Sequence, residues 1–305
     1  GIYAFVESLG SRSGSCGNGA EWYLDKATGE LTISGTGSTG SYQLVSGIKA
    51  PWDKYRKDIL HVKINEGITA IGNDSFRECK NLLDVSLPES LKEISEMSFS
   101  GCNKLQAIDI PTNVNKIDAS AFFECSVLER VTVSSRNTDF SDVDGVLFNK
   151  NKTNLLLFPK GRITQEYTIP LGVTEIGAYA FANCSELIYI SIPSTVRIIG
   201  VYVFVNCRTL FSVEIPEGVT AIKPNAFYGC SALSEVKLPS TVTSVSSNAF
   251  GKCGSLLKIN IPNATKSIDA SAFSGCPNLT VYCDKDSYAN GFCISSSIDY
   301  CYSNL

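Results

Sequence analysis

The sequence predicts a solenoid of the α/β class, built from right-handed coils of 23 residues and capped at both ends. Eight phenylalanines recur at a spacing of 23 residues, except across one gap, and each is followed three residues later by a cysteine. A short segment of alternating apolar residues precedes each phenylalanine. The phenylalanines are Phe76, Phe99, Phe122, Phe181, Phe204, Phe227, Phe250 and Phe273, and the cysteines are Cys79, Cys102, Cys125, Cys184, Cys207, Cys230, Cys253 and Cys276.

The unit at residues 82–102 shows how each coil is expected to fold. Val85 and Leu87 alternate with polar residues, which predicts a short strand with both apolar side chains on one face. Pro88 ends that strand, because proline cannot donate to the ladder. Ser95 lies in a column rich in Ser, Asp and Gly, as helix N-caps are. We therefore predict a helix of one to two turns that carries Phe99 inward.

Stacking explains why such coils are repeated. One coil cannot bury its own apolar residues, but neighbouring coils bury them in a continuous core. The 23-residue period lies within the range of ~20–29 residues found in leucine-rich repeats. We therefore expect about nine coils, with strands in a parallel sheet on the concave face and short helices on the convex face.

The chain is expected to contain four segments. A flexible N-terminal segment (1–15) precedes an N-terminal β-hairpin cap (16–58), the solenoid (59–282) and a C-terminal cap (283–305). The cap assignment follows from two apolar runs joined by a polar turn, and from the need to cover the first apolar coil. Both tryptophans, Trp22 and Trp52, lie in this cap.

An irregular insertion at 134–166 interrupts the period. Two apolar runs around a polar turn at 149–152 predict a β-hairpin or an enlarged coil. Either residues 156–159 or residues 167–170 could supply the stacked strand, and the pattern leaves both open.

Composition excludes several classes of protein. The formal net charge is −4 and lysine and arginine are not clustered, so no nucleic-acid partner is expected. No stretch approaches the ~20 apolar residues that span a bilayer, so no membrane-spanning segment is expected. The sequence lacks an initiator Met, and we expect a native signal peptide to have been removed.

The repeated cysteines favour a buried ladder of free thiols. No C-x-x-C pair is present, and zinc sites need tetrahedral clusters rather than a line of ligands. Buried cysteine behaves as a small hydrophobic residue. We therefore predict no metal and no cofactor. A disulfide within the C-terminal cap, among Cys283, Cys293, Cys301 and Cys276, is left open.

Catalytic chemistry finds little support. His61 is the only histidine, and its register points toward solvent. No nucleotide-binding or hydrolase motif is present, and the carboxylates are spread over solvent positions. We predict that the protein is not an enzyme.

The repeat resembles the BspA-like class of leucine-rich repeats over roughly residues 16–290. Motifs outside the repeat are more specific than the repeat itself: Cys16-Gly17, the run Leu31-Thr32-Ile33-Ser34-Gly35-Thr36-Gly37, Pro51-Trp52 and Asp144-Gly145-Val146-Leu147-Phe148. The resemblance implies a bacterial protein of the cell surface or a secreted one. It also implies similarity to adhesins that bind host matrix proteins.

Solvent-facing strand positions are the expected binding surface, as in other repeat proteins. Arg130 and Tyr189 are the first candidates, because arginine and tyrosine are common in binding hot spots. The remaining candidates are Glu214, Glu235, Lys237 and Lys258, which could equally be ordinary solvated charges. The insertion at 134–166 is a competing site.

These observations predict a monomeric, non-catalytic extracellular scaffold that binds a host or extracellular-matrix protein, with a glycan as the other ligand class. Two alternatives are kept. The chain could be a structural spacer that presents other domains, or a carbohydrate-binding module. Exposed aromatic residues clustered in one groove would favour the module, and among the concave-face positions considered only Tyr189 is aromatic.

Overall fold

A computed structural model describes residues 12–303 of the chain. The chain divides into two compact units, residues 1–145 and 146–305, and the division falls within the predicted insertion. Each unit is a β-solenoid with a repeat of about 23 residues and few helices. In most coils a strand of three or four residues pairs with its counterparts in neighbouring coils to form what we call the first sheet of each unit, and a second strand, usually of two residues, pairs in a second sheet.

Unit 1 begins with an antiparallel hairpin and continues as parallel coils. Its strands are β1 (Arg12–Ser15), β2 (Ala20–Asp25), β3 (Glu30–Gly35), β4 (Gly37–Ser38), β5 (His61–Ile64), β6 (Ile68–Ile71), β7 (Asp84–Ser86), β8 (Glu93–Ile94), β9 (Ala107–Ile110), β10 (Lys116–Ile117), β11 (Arg130–Val133) and β12 (Phe140–Val143). Two 3-10 turns lie at Leu44–Ser46 and Asp53–Tyr55.

The hairpin predicted within residues 16–58 is confirmed. Strands β2 and β3 pair antiparallel, with Leu24 opposite Leu31, and β1 adds a further antiparallel strand. Strand β3 then pairs in parallel with β5, so the hairpin and the first coil share one sheet. Residues 1–11 of the predicted flexible segment lie outside the described residues.

Unit 2 repeats the same coil and ends with a helix and one more strand. Its elements are β13 (Val146–Asn149), β14 (Asn154–Leu157), β15 (Glu166–Thr168), β16 (Glu175–Ile176), β17 (Tyr189–Ser191), β18 (Ile198–Ile199), β19 (Ser212–Glu214), β20 (Ala221–Ile222), β21 (Glu235–Lys237), β22 (Ser244–Val245), β23 (Lys258–Asn260), β24 (Ser267–Ile268), β25 (Thr280–Cys283), α1 (Tyr288–Ser296) and β26 (Asp299–Tyr302). The first sheet of this unit has seven strands in the order β15-β17-β19-β21-β23-β25-β26.

The predicted convex helices are wrong, because consecutive turns occupy their positions in the described coils. Around Phe76, the Cys79 N–H closes a turn onto the Phe76 carbonyl at 3.1 Å. The Phe76 N–H instead donates to the Ser98 carbonyl of the next coil at 2.7 Å, and the Glu78 N–H donates to Ser100. A helix would use every one of these N–H groups within its own coil. Stacking therefore replaces helical hydrogen bonds with bonds between coils.

The predicted cap column keeps its role in these turns. The Asp118 carboxylate accepts the Ser120 backbone N–H at 2.9 Å and its hydroxyl at 2.6 Å. Asp269 and Ser271 repeat this arrangement in unit 2. Hydrogen bonds from Ser271 hold the pKa of the Asp269 carboxyl below its ordinary value. The residues chosen for N-capping thus begin turns rather than helices.

Stacked aromatic rings form the axis of each core. In unit 1, Trp52 stacks on Phe76 at a centroid distance of 5.5 Å, and the stack continues through Phe99 to Phe122. In unit 2 the rings follow one another at 5.0–5.6 Å from Phe158 to Phe273, and Phe292 of α1 contacts the last ring at 6.4 Å. Trp52, Phe158 and Phe292 extend the column beyond the phenylalanines that show the repeat.

The hairpin predicted in the insertion is present in unit 2. Strand β14 pairs antiparallel with β13 and in parallel with β16, so it belongs to the second sheet. Strand β15 pairs in parallel with β17 in the first sheet. Both segments left open by the sequence therefore stack, one in each sheet, and Phe158 follows β14 as the aromatic residue of that coil.

The predicted ladder of buried free thiols is confirmed. All described cysteines are free, and those of the repeat are buried except Cys276, which is half-buried. The Cys230 thiol donates to the Phe204 carbonyl of the preceding coil at 3.1 Å, and Cys207 and Cys253 make the same bond one coil away. A small thiol donor therefore suits this position better than an alkyl group. Cys283, Cys293 and Cys301 of the C-terminal segment are also free thiols.

Burial of these thiols leads to a prediction for alkaline pH. Burial raises the pKa of the Cys79 thiol from 9.0 to about 12 and that of Cys293 to about 11. Below pH 9 the protonated thiols contribute fully to stability. This contribution is lost as pH rises from 9 through the folded-state pKa values, because the unfolded chain loses thiol protons that the folded chain still holds. Chemical denaturation measured from pH 8 to pH 11 should show a falling free energy of unfolding above about pH 9.

Thiol alkylation in the native state provides an independent check. At pH 8, iodoacetamide should modify exposed Cys301 rapidly and leave the buried ladder unmodified until denaturant is added. Rapid native modification of Cys230 or Cys253, located by peptide mass spectrometry, would contradict a closed ladder.

Candidate functional site

The outward side chains of the first sheet form the candidate surface, which we call the strand face. In unit 1 it includes His61 on β5 and Asp84 on β7, whose Nδ1 and Oδ2 atoms are 2.7 Å apart. Both side chains are exposed, which confirms that His61 points to solvent. Arg130 on β11 is also exposed, and its side chain makes no hydrogen bond or ion pair with the described part of the chain.

The other five predicted residues lie on the strand face of unit 2. Tyr189 on β17 is 47 % exposed, and Phe211, immediately before β19, is 48 % exposed. Their rings meet edge to face at a centroid distance of 6.3 Å. An exposed pair of touching aromatic rings is a common core of protein-binding hot spots. The two rings therefore form the most apolar point of this surface.

Four charged side chains lie beside the aromatic pair along the same sheet. Glu214 on β19 and Lys237 on β21 are 3.7 Å apart, with both side chains mostly exposed. Glu235 stands opposite Lys258 in the register of β21 and β23. Exposed ion pairs of this kind contribute only about 0–1 kcal/mol to stability. Their arrangement leaves charge available for recognition.

A groove of about 650 Å³ continues from these charges toward the C-terminal strands. Its polar lining consists of Glu235, Lys237, Lys258, Asn260, Tyr282 and Ser303. The Ser303 hydroxyl and the Asn260 amide oxygen are 3.1 Å apart, so the segment after β26 closes one side of the groove. Buried Val236 and Ile259 lie beneath it.

Sequence reasoning missed two residues of this surface. Phe211 occupies a mixed column, and only its aromatic ring sets it apart from the residues at this position in other coils: Leu83, Gln106, Glu129, Ile188, Ser234 and Leu257. Tyr282 extends the row of Lys237 and Asn260 by one strand, as the pairing of β23 with β25 shows.

Within residues 12–303, no group of three or more His, Cys, Asp or Glu side chains is arranged to hold a metal ion. None of the helices described here has both the length and the apolar character needed to cross a membrane.

The repeated part of the chain matches a known protein family. The pattern described as "BspA type Leucine rich repeat region" matches residues 54–161 and 154–280, in six copies. The chain belongs to the BspA-type leucine-rich-repeat family. The sequence resemblance is thus confirmed, and the repeat is a scaffold typical of bacterial surface proteins.

Solved structures resemble this BspA-type chain along most of its length. A leucine-rich repeat protein from Eubacterium ventriosum is 25% identical, with 87% of this chain and 95% of that chain covered and a TM-score of 0.51. A leucine rich cell surface protein from Faecalibacterium prausnitzii is 21% identical (96% and 99% covered, TM-score 0.58). The pneumococcal vaccine antigen PcpA is 18% identical (96% and 99% covered, TM-score 0.60). The last two show a shared fold alone.

A search of the curated proteins found no match to this chain.

Proposed function

We propose that this BspA-type protein is a non-catalytic extracellular scaffold whose strand face binds a host or extracellular-matrix protein. The observation that carries the proposal is the exposed Tyr189–Phe211 pair at the centre of the strand face of unit 2. Exposed apolar clusters on soluble proteins often mark sites where another protein binds.

The charged neighbours suit a protein partner. Glu214, Glu235, Lys237 and Lys258 present both signs of charge beside the apolar pair, as the polar rim of an interface does. Such rim charges orient a partner and raise the association rate more than the affinity. Arg130 offers a separate candidate contact on the strand face of unit 1.

The proposal includes location and architecture. We expect the protein to be secreted or held at the surface of a bacterial cell, and to act as a monomer. We also expect right-handed coils, because parallel crossovers are right-handed in about 98% of cases. Residues 16–58 and 283–305 would cover the apolar ends of the coils.

Surface plasmon resonance against a panel of purified matrix proteins tests the binding proposal. The panel should include collagens, laminins and fibronectin, with the protein immobilised. We expect saturable binding to at least one of them. Replacing both Tyr189 and Phe211 with alanine should weaken that binding at least about 30-fold, because even a single hot-spot ring contributes about 2 kcal/mol or more. Arg130→Ala, measured separately, should show whether unit 1 contributes.

The control replaces two other exposed side chains, which lie away from the strand face. Leu171 is 84 % exposed and Tyr288 is 49 % exposed, and the Leu171→Ala/Tyr288→Ala variant should bind as the wild type does. Equal losses in both double variants, or no saturable binding across the panel, would favour a spacer over a binding scaffold.

A further inference from the structure

We propose that the groove at the end of the unit 2 strand face binds a sugar that carries a carboxylate, such as a uronic acid. The groove does not include the Tyr189–Phe211 pair, but it shares Glu235, Lys237 and Lys258 with the charged rim of the proposed protein-binding surface. It adds a second ligand class to that proposed function. Three features support it: the charge of the groove, its single aromatic wall and its small exposed aliphatic surface.

Charge complementarity favours one anionic group. The groove is lined by two ammonium groups, on Lys237 and Lys258, and by the carboxylate of Glu235. Lys237 lies near Glu214, outside the groove, whereas Lys258 forms no ion pair within the described residues. Lys258 can therefore bind a ligand carboxylate through charge-assisted hydrogen bonds. Glu235, on the strand beside it, disfavours a ligand with several negative charges.

The remaining polar groups suit sugar hydroxyls. Asn260 and Ser303 lie within 3.1 Å of each other and are held by β23 and by the segment after β26. The Asn260 amide can both donate and accept, and the Glu235 carboxylate can accept two hydroxyl donors. Vicinal hydroxyls on a pyranose ring offer donors and acceptors at short spacing, which matches this set.

The ring of Tyr282 favours a sugar over an apolar peptide side chain as the ligand of the groove. Its ring is 38 % exposed and forms the only partly exposed aromatic wall of the described groove. Val236 and Ile259 below it are 3 % and 1 % exposed, so Leu238 is the one partly exposed aliphatic side chain among the described lining residues. A flat ring beside polar groups can stack with the C–H face of a sugar while the hydroxyls stay hydrogen-bonded.

Three small probes test the ligand class in NMR titrations with the intact protein: methyl β-glucuronide, methyl β-glucoside and N-acetyl-aspartate amide. The glucuronide and the glucoside differ mainly in the carboxylate, and the aspartate derivative presents a carboxylate without a sugar. We expect saturable millimolar binding of the glucuronide and about tenfold weaker binding of the other two. Equal binding of the aspartate derivative would assign the groove to acidic peptides. Equal binding of the glucoside, or no saturable binding of the glucuronide, would also overturn the proposal.

Variants locate the site. Lys258→Met keeps the length of the side chain and removes its charge, so it should weaken glucuronide binding about tenfold and leave glucoside binding unchanged. Tyr282→Ala should weaken both sugars. Lys63→Met changes an exposed strand-face lysine of unit 1 and serves as the matched control. Unchanged glucuronide binding by Lys258→Met, in a protein with a wild-type denaturation midpoint, would refute the assignment.

The two proposals fail independently. The Tyr189→Ala/Phe211→Ala variant should retain glucuronide binding even where it loses the matrix protein. Loss of glucuronide binding in that variant would instead place the sugar at the aromatic pair, which contradicts the groove assignment.

Discussion

Replacing Phe204 with alanine is expected to lower the free energy of unfolding by about 3–5 kcal/mol. Phe204 is fully buried and lies 5.2 Å by ring centroid from both Phe181 and Phe227. The substitution leaves a cavity between two coils and removes two ring contacts at once. Because each coil is stabilised by its neighbours, the cavity also weakens the interface on either side. Urea denaturation followed by circular dichroism measures the loss.

Phe211→Ala is the matched control for this prediction. Phe211 lies in the same unit but is 48 % exposed and contacts Tyr189 at the surface. Its replacement should change the free energy of unfolding by about 0.5 kcal/mol or less. Similar losses of unfolding free energy in the two variants would show that the stacked phenylalanines do not make the main contribution to the stability of the core.

Asn137→Ala is expected to destabilise unit 1 by about 4 kcal/mol, because four hydrogen bonds, three of them buried, end at one side chain. Asn137 is fully buried, and its amide donates to the carbonyls of Pro111 and Val114, each at 2.8 Å. Its carbonyl accepts the backbone N–H groups of Asp139 at 2.9 Å and of Phe140 at 2.8 Å. Alanine would leave buried backbone groups without these partners.

Tryptophan fluorescence reports this change, since both Trp22 and Trp52 are buried in unit 1. Asn113→Ala is a control of the same residue type. The Asn113 amide donates to the Glu89 carbonyl at 2.8 Å, but the bond is exposed, so water can replace it. We expect a loss of about 1 kcal/mol or less for Asn113→Ala. If both substitutions had a comparable effect, the buried hydrogen bonds of Asn137 would not be what stabilises the backbone where the regular coils end.

The candidate site was predictable where it followed the repeat. Tyr189, Glu214 and Lys237 were placed on the strand face by their register alone, because alternate residues of a strand face opposite sides. Phe211 was not predicted, because it precedes strand β19 and lies outside the alternating rows of that strand. The groove was not predicted, because Ser303 and Asn260 are 43 residues apart in the sequence and no local pattern indicates that they are in contact.

The sequence alone determined the coil, its period, the buried phenylalanine and thiol columns, and the family, because each depends on periodic local chemistry. Only the tertiary structure decided that turns replace the convex helices, that β14 and β15 enter different sheets, and that Tyr189 meets Phe211. These features depend on hydrogen bonds and contacts between coils. An N–H group that could complete a helix bonds to the next coil instead once a carbonyl is stacked beside it, as Phe76 and Ser98 show.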